Sequence, residues 1–153
     1  MKFSAREDIN APIEKVFRTL TEFEVFERAA LRRGIDLARE VEGESNGLGR
    51  TWRVNFKFRG RNREIGVELQ TVAEPQDLVY AISSPNLRGT FEIELVAMSR
   101  ARTRMRVALD IRPKTLSARL LLQSAKLARN TLNRRYKGRI KRLAQELETR
   151  CQG

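Results

Sequence analysis

In "KFSAREDIN", residues 2–10, Phe3, Ala5 and Ile9 fall on one side of an alternating pattern, as in a strand with one buried face. The period then lengthens. Within "APIEKVFRTLTEFEVFERAALRRG", Ile13, Val16, Phe17 and Leu20 recur at helical spacing behind Pro12, and Gly34 closes the segment. Thr21 followed by Glu24 has the form of a capping box, so two consecutive helices are predicted. From Ile35 the alternation returns in six stretches: "IDLAREV", "RTWRVNFKFRG", "REIGVELQTV", "DLVYAIS", "GTFEIELVAM" and "RTRMRVALDI". The turn-rich "EGESNGLG" separates the first two. Residues 115–150 have a helical period throughout, interrupted by one breaker, Gly138. An unbroken helix there spans roughly 54 Å and overhangs the body; otherwise Gly138 permits a bend.

Hairpins that keep the apolar residues on one face pair Phe58 with Ile65 and Leu95 with Met105. The opposite face then matches Arg59 with Glu64, Asn55 with Glu68 and Glu94 with Arg106. These complementary pairs explain the sheet arginines as solvated partners, each worth under about 1 kcal/mol, rather than as readers of nucleic acid.

A chain of 153 residues suits one domain, 1–153, large enough to bury roughly two thirds of its unfolded surface. Hydrophobic residues at 41% and charged residues at 33%, with no run long enough to span a bilayer, describe a globular protein. The opening "MKFSARED" lacks the apolar core of a secretory signal, so a cytoplasmic location is expected. The formal charge of +12 is unevenly distributed. Residues 112–150 hold twelve of the 31 Lys and Arg against Glu146 and Glu148 alone, a net of +10, and "NRRYKGRIKR" places six cations in ten positions. Arg134, Arg135, Lys137, Lys141 and Arg142 form a candidate anion-binding surface on that helix, for an anionic membrane or an acidic protein. Nucleic acid is disfavoured, because no exposed aromatic accompanies them to stack bases.

The candidate chemistry is sparse. With no histidine and one cysteine, Cys151, zinc sites and histidine-assisted nucleophiles are excluded. No catalytic residue, cofactor or metal is assigned. The apolar sheet face offers only Tyr80, Thr71 and Thr103 as polar handles, and Glu7 reads more readily as a strand-end residue reaching water than as a buried carboxylate.

Three stretches carry a family resemblance: "INAPIEKVFRTLTEFEVFERAAL" at 9–31, "GLGRTW" at 47–52, and the terminal helix at 115–150. The order of elements, β-α-α-β-β-β-β-β-β-α, and the Gly-x-Gly-x-x-Trp turn resemble the START-like, or SRPBCC, superfamily in its polyketide cyclase-like and CoxG-like members. The resemblance implies an α+β helix-grip fold, with a curved antiparallel sheet of about seven strands around the long C-terminal helix. A cavity between them would take an apolar or amphipathic small molecule. On that expectation Trp52, Val54, Phe56, Val67, Leu69, Tyr80, Phe91, Ile93, Met105, Val107 and Leu109 line it from the sheet. The helix stripe supplies Ala125, Ala128, Leu132 and Tyr136, with Arg129 at its edge. Tyr136 equally suits a filled core, bonding a carbonyl, and Arg129 equally suits a head in water over an apolar stem. Leu116, Leu120 and Leu127 form a second apolar edge that meets a partner, a membrane or loops of the chain itself. Non-catalytic binding is favoured. A cyclase or aromatase on the same cavity, and an interaction module acting through the basic helix, remain alternatives. No catalytic motif common to the superfamily exists to decide among them, and oligomeric state stays open.

Overall fold

The computed structural model describes residues 1–58 and 60–153. Its elements run β1 (Lys2–Ile9), α1 (Ile13–Leu20), α2 (Phe23–Arg32), β2 (Asp36–Val41), β3 (Thr51–Phe58), β4 (Arg61–Ala73), β5 (Asp77–Ser83), β6 (Leu87–Ser99), β7 (Arg102–Pro113), α3 (Leu116–Lys126) and α4 (Arg129–Gln152). The strands form one antiparallel sheet of order β1-β7-β6-β5-β4-β3-β2. This is the expected α+β helix-grip, with the helices on the apolar face of a curved sheet. Ile9, Val16, Leu69, Leu78, Leu95, Met105, Val107 and Leu147 are fully buried between the layers.

The β6–β7 register follows the alternation, with Leu95 opposite Met105 and Glu94 opposite Arg106. The β3–β4 register differs: Val54, not Phe58, faces Ile65, and Asn55 faces Glu64 rather than Glu68. A two-residue connection makes this hairpin tighter than expected, and Gly60, at φ 74°, accommodates it. Because the displacement is an even number of residues, every side chain keeps its face. The expected Arg59–Glu64 pair and the inward Phe58 side chain lie outside the described residues.

Two helix boundaries depart from expectation. Thr21 ends α1 rather than opening α2, its hydroxyl donating to the carbonyls of Phe17 and Arg18, while α2 starts at Phe23 behind Glu22, which makes no side-chain cap. The C-terminal helix breaks at Leu127 and Ala128, not at Gly138, which sits inside the 24-residue α4. There the backbone tightens: the Leu127 N–H bonds the Ser124 carbonyl and the Ala128 N–H bonds that of Ala125. The break lets α3, capped by Thr115 and seated through buried Ala118, follow β7 while α4 crosses β1. At roughly 36 Å, α4 alone fits across the sheet.

Candidate functional site

A cavity of about 360 Å³ opens between the helices and strands β4–β6. Leu20 of α1, Phe26 of α2, Val67 of β4, Tyr80 and Ile82 of β5, Phe91 and Ile93 of β6, and Leu143 of α4 line it. Its volume falls within the range of small-molecule sites. The alternation that made β4–β6 half-buried strands aims these residues inward, and the α1 and α2 stripes supply the roof. The Tyr80 hydroxyl is the one titratable group in the lining among the described residues, and burial pushes its pKa up to about 12 against the nearby Arg50 charge. The phenol is therefore neutral at physiological pH and can donate or accept a hydrogen bond. Among the described residues, no carboxylate or ammonium lines the cavity.

A file of aromatic rings runs from this wall back to α2. Phe23 and Trp52 lie 6.0 Å apart, Trp52 and Tyr80 6.1 Å, and Tyr80 and Phe91 6.1 Å, all tilted. The "GLGRTW" turn sets its end. Gly47 lies at φ 93°, and a Cβ there would stand 2.4 Å from the Phe23 ring, so the turn seats against that ring only with glycine. Arg50 follows, buried, its guanidinium 4.8 Å above Phe23 and its Nε donating to the Glu42 carbonyl. Two residues on, Trp52 Nε1 donates to Glu27 at 2.7 Å, and Arg39 grips the same carboxylate at 2.9 and 2.5 Å. Burial raises the Glu27 pKa, but the Arg39 and Trp52 hydrogen bonds outweigh it and hold the group below its ordinary value. Glu24 is likewise lowered, first by its own backbone N–H and then by Arg50 and Arg39. The motif thus locks α2 to β3 behind the cavity wall.

Of the residues expected to line a cavity, Val67, Tyr80, Phe91 and Ile93 do so. Trp52 lies one ring behind Tyr80, while Leu69, Met105 and Val107 are fully or almost fully buried in the packed core. Val54 and Leu109 are half-buried away from it, and Phe56 is 39% exposed toward the end of β3. The helix residues sit elsewhere. Tyr136 donates to the Val107 carbonyl at 2.7 Å and packs on Phe3 at 5.4 Å, fastening α4 onto β1 and β7. That contact fills the half of the sheet under residues 132–136. Leu132 and Ala125 are half-buried, and Ala128 and Arg129 are exposed at the helix break. Thr103 donates to the Ala11 carbonyl, and a bulge after Leu69 leaves Thr71 exposed. Leu20, Phe26, Ile82 and Leu143 line the cavity without having been singled out for it. Leu20 and Leu143 did belong to helical apolar stripes in the sequence, and these stripes were the available signal.

Arg134, Arg135, Lys137, Lys141 and Arg142 are all exposed and form no ion pair among the described residues. They do not make one patch. Lys137 lies beside β1 and Arg142 faces α2, while Arg134 and Lys141, three residues before and four after Lys137, share its side of the helix. Asp77, Glu92 and Glu94 bring three carboxylates within 4.8 Å, but on the sheet face opposite the cavity.

An antiparallel sheet gripping a long C-terminal helix over an apolar cavity defines the helix-grip class of ligand-binding folds. Within that class, the chain belongs to the family described as polyketide cyclase / dehydrase and lipid transport, whose model matches residues 1–148. Its fold is similar to the Zhui aromatase/cyclase from Streptomyces sp. R1128, at 15% identity and TM-score 0.65, over 98% of this chain and 94% of that one. It is also similar to a START superfamily protein from Mycobacterium smegmatis, at 14% identity and TM-score 0.56, over 88% and 95%. A third likeness is norcoclaurine synthase from Thalictrum flavum, at 9% identity and TM-score 0.62, over 81% and 75%. No curated protein sequence matches the chain.

Proposed function

We propose that the protein binds an apolar or amphipathic small molecule in the cavity under α1, α2 and Leu143, without chemical conversion, as a single domain working in the cytoplasm. The carrying observation is the lining itself: seven apolar side chains and one neutral phenol around about 360 Å³. Apolar area there favours a ligand through the hydrophobic effect, and Tyr80 orients it with one hydrogen bond. Proton transfer calls for groups with pKa values near neutrality, and Tyr80 is shifted away from that range. Native mass spectrometry of protein purified from its own host tests this. A reproducible bound mass, absent from Ile82→Trp, is expected; persistently empty protein overturns the proposal. Conversion of a polyketide-like substrate, abolished in Tyr80→Phe, would favour the cyclase-type alternative instead.

One observation favours a second role for the C-terminal region. Leu116, Leu120 and Leu127 are 71%, 57% and 92% exposed; helical geometry aligns the first two in one stripe, and Leu127 follows at the helix break. No acid lies between Asp110 and Glu146, so the stripe is bordered by cations alone, among them Arg119 and Lys126. Exposed leucines beside cations suit an anionic membrane surface. Co-sedimentation with vesicles containing acidic lipid is expected at low salt and is lost in Leu116→Gln/Leu120→Gln. Absence of co-sedimentation rejects the role, and a concentration-dependent dimer abolished by the same variant assigns the stripe to a second copy.

A further inference from the structure

A second hollow adjoins the cavity. The α2 face Phe26, Ala29, Ala30 and Arg33 looks across at the α4 face Arg139, Arg142, Leu143 and Glu146, leaving a groove of about 440 Å³ closed at one end by Ile35. Both faces have the i, i+3, i+4, i+7 spacing of one helix stripe, yet small alanines on α2 and arginines on α4 keep the helices from meshing. Phe26 and Leu143 line both the groove and the apolar cavity, so the two spaces share a wall. Arg150 fixes Phe26 in that wall, its guanidinium 5.0 Å over the ring while it pairs with Glu22 at 2.8 Å.

The two compartments differ in chemistry. The inner one offers a single hydroxyl. The groove offers three guanidinia, on Arg33, Arg139 and Arg142, against the one carboxylate of Glu146, and none of these four forms an ion pair among the described residues. On the sheet, Arg53, Arg102 and Arg104 have carboxylate partners, whereas Arg6, Arg88 and Arg106 form no ion pair among the described residues. Guanidinium forks match oxyanions in geometry, and because Arg33, Arg139 and Arg142 are all exposed the match is open to screening by salt.

We infer that the groove is the head-group subsite of the cavity, and that the ligand is an amphiphile with an oxyanion head on an apolar body. The body fills the space around Tyr80 and Phe91, and the head lies between Arg33, Arg139 and Arg142. This rests on the proposed binding function and narrows its ligand class to acids. Arg134 and Lys141, on the same helix but outside the groove lining, contribute only long-range field.

Isothermal titration with dodecanoate, dodecyl phosphate and dodecanol separates these contributions. The wild type is expected to bind at least one of the two acids roughly tenfold or more tighter than the alcohol, the gain of a charge-assisted hydrogen bond. Whichever acid binds tighter identifies the head group as carboxylate or phosphate. Arg139→Gln/Arg142→Gln should reduce that preference to about twofold, through a loss of acid affinity several-fold larger than any change for dodecanol. Arg134→Gln/Lys141→Gln removes the same charge outside the groove and should retain the preference. Equal binding of acids and alcohol by the wild type overturns the head-group subsite and leaves the cavity reading standing. Equal loss in both double variants also overturns it, by assigning the preference to net charge. Failure of all three ligands to bind, with the variants folded, overturns the cavity reading as well.

Discussion

At the scale of single residues, polar side chains near the cavity divide between those already satisfied by the fold and those left for a ligand. The Tyr136 hydroxyl is occupied by the Val107 carbonyl. Tyr136→Phe is therefore expected to cost about 1 kcal/mol in urea unfolding with no change in dodecanol affinity. A loss of affinity at unchanged stability would move Tyr136 into the binding site. Glu27 is committed as well, to Arg39 and Trp52. Its pKa is lower folded than unfolded, so its stabilisation is present above the ordinary value of 4.5 and is lost as pH falls through the depressed folded value. Glu27→Gln should cost about 1–2 kcal/mol at neutral pH, with the deficit against wild type shrinking as pH falls below 4.5. A constant deficit across that range would show that the carboxylate charge contributes nothing. Both roles were hidden in the sequence, where Tyr136 reads equally as ligand contact or core and Glu27 is one acid among 19. Their partners are distant in the chain and are supplied by β7, β2 and β3.

Elements were more legible than their ends. Alternation in β4, β6 and β7 reports the buried face with a period of two, and that information survives an even error in register. This is why Val54 replaced Phe58 opposite Ile65 without reversing the sheet. Helix ends depend on weaker and more local preferences. Gly138 is the residue of lowest helix propensity in the long C-terminal segment, yet it remains helical, and the break falls at Leu127 and Ala128, both good helix formers. Packing decided the matter, because α3 follows β7 and α4 follows β1. At Gly138 a Cβ would meet nothing within 4 Å. Gly138→Ala should accordingly raise stability by about 0.5–1 kcal/mol in urea unfolding, since it removes backbone freedom from the unfolded chain at no steric cost. A destabilising result would mean that α4 bends there in solution, as the bare propensity suggests.

For the whole molecule, the position of α4 determines where a cavity can exist. Tyr136 and Leu147 pull the helix onto β1 and β7 and fill that half of the sheet, so the space moves to β4–β6, beneath Leu20, Phe26 and Leu143. A sequence can state which helix stripe faces the sheet, but the lateral placement of that stripe follows from packing volumes spread over all eleven elements. The charge asymmetry was legible in full, yet its use was not, because the cations of α4 lie on more than one side of the helix, Lys137 beside β1 and Arg139 and Arg142 in the groove. An apolar body in the cavity and an oxyanion in the groove should respond differently to salt. At a free concentration about 100-fold above its Kd, a ligand adds about 2.7 kcal/mol to folding stability. For a chain of this length that is roughly 5–10 °C in Tm. Dodecanol should keep this increment when NaCl is raised from 0.05 to about 1 M, because buried apolar area is not screened. At a fixed dodecanoate concentration, the extra increment should fall toward the dodecanol value as the Debye length contracts to about 3 Å. Salt-independent stabilisation by dodecanoate would place its head away from the arginines, and the absence of stabilisation by either ligand would leave the cavity without a ligand of this class.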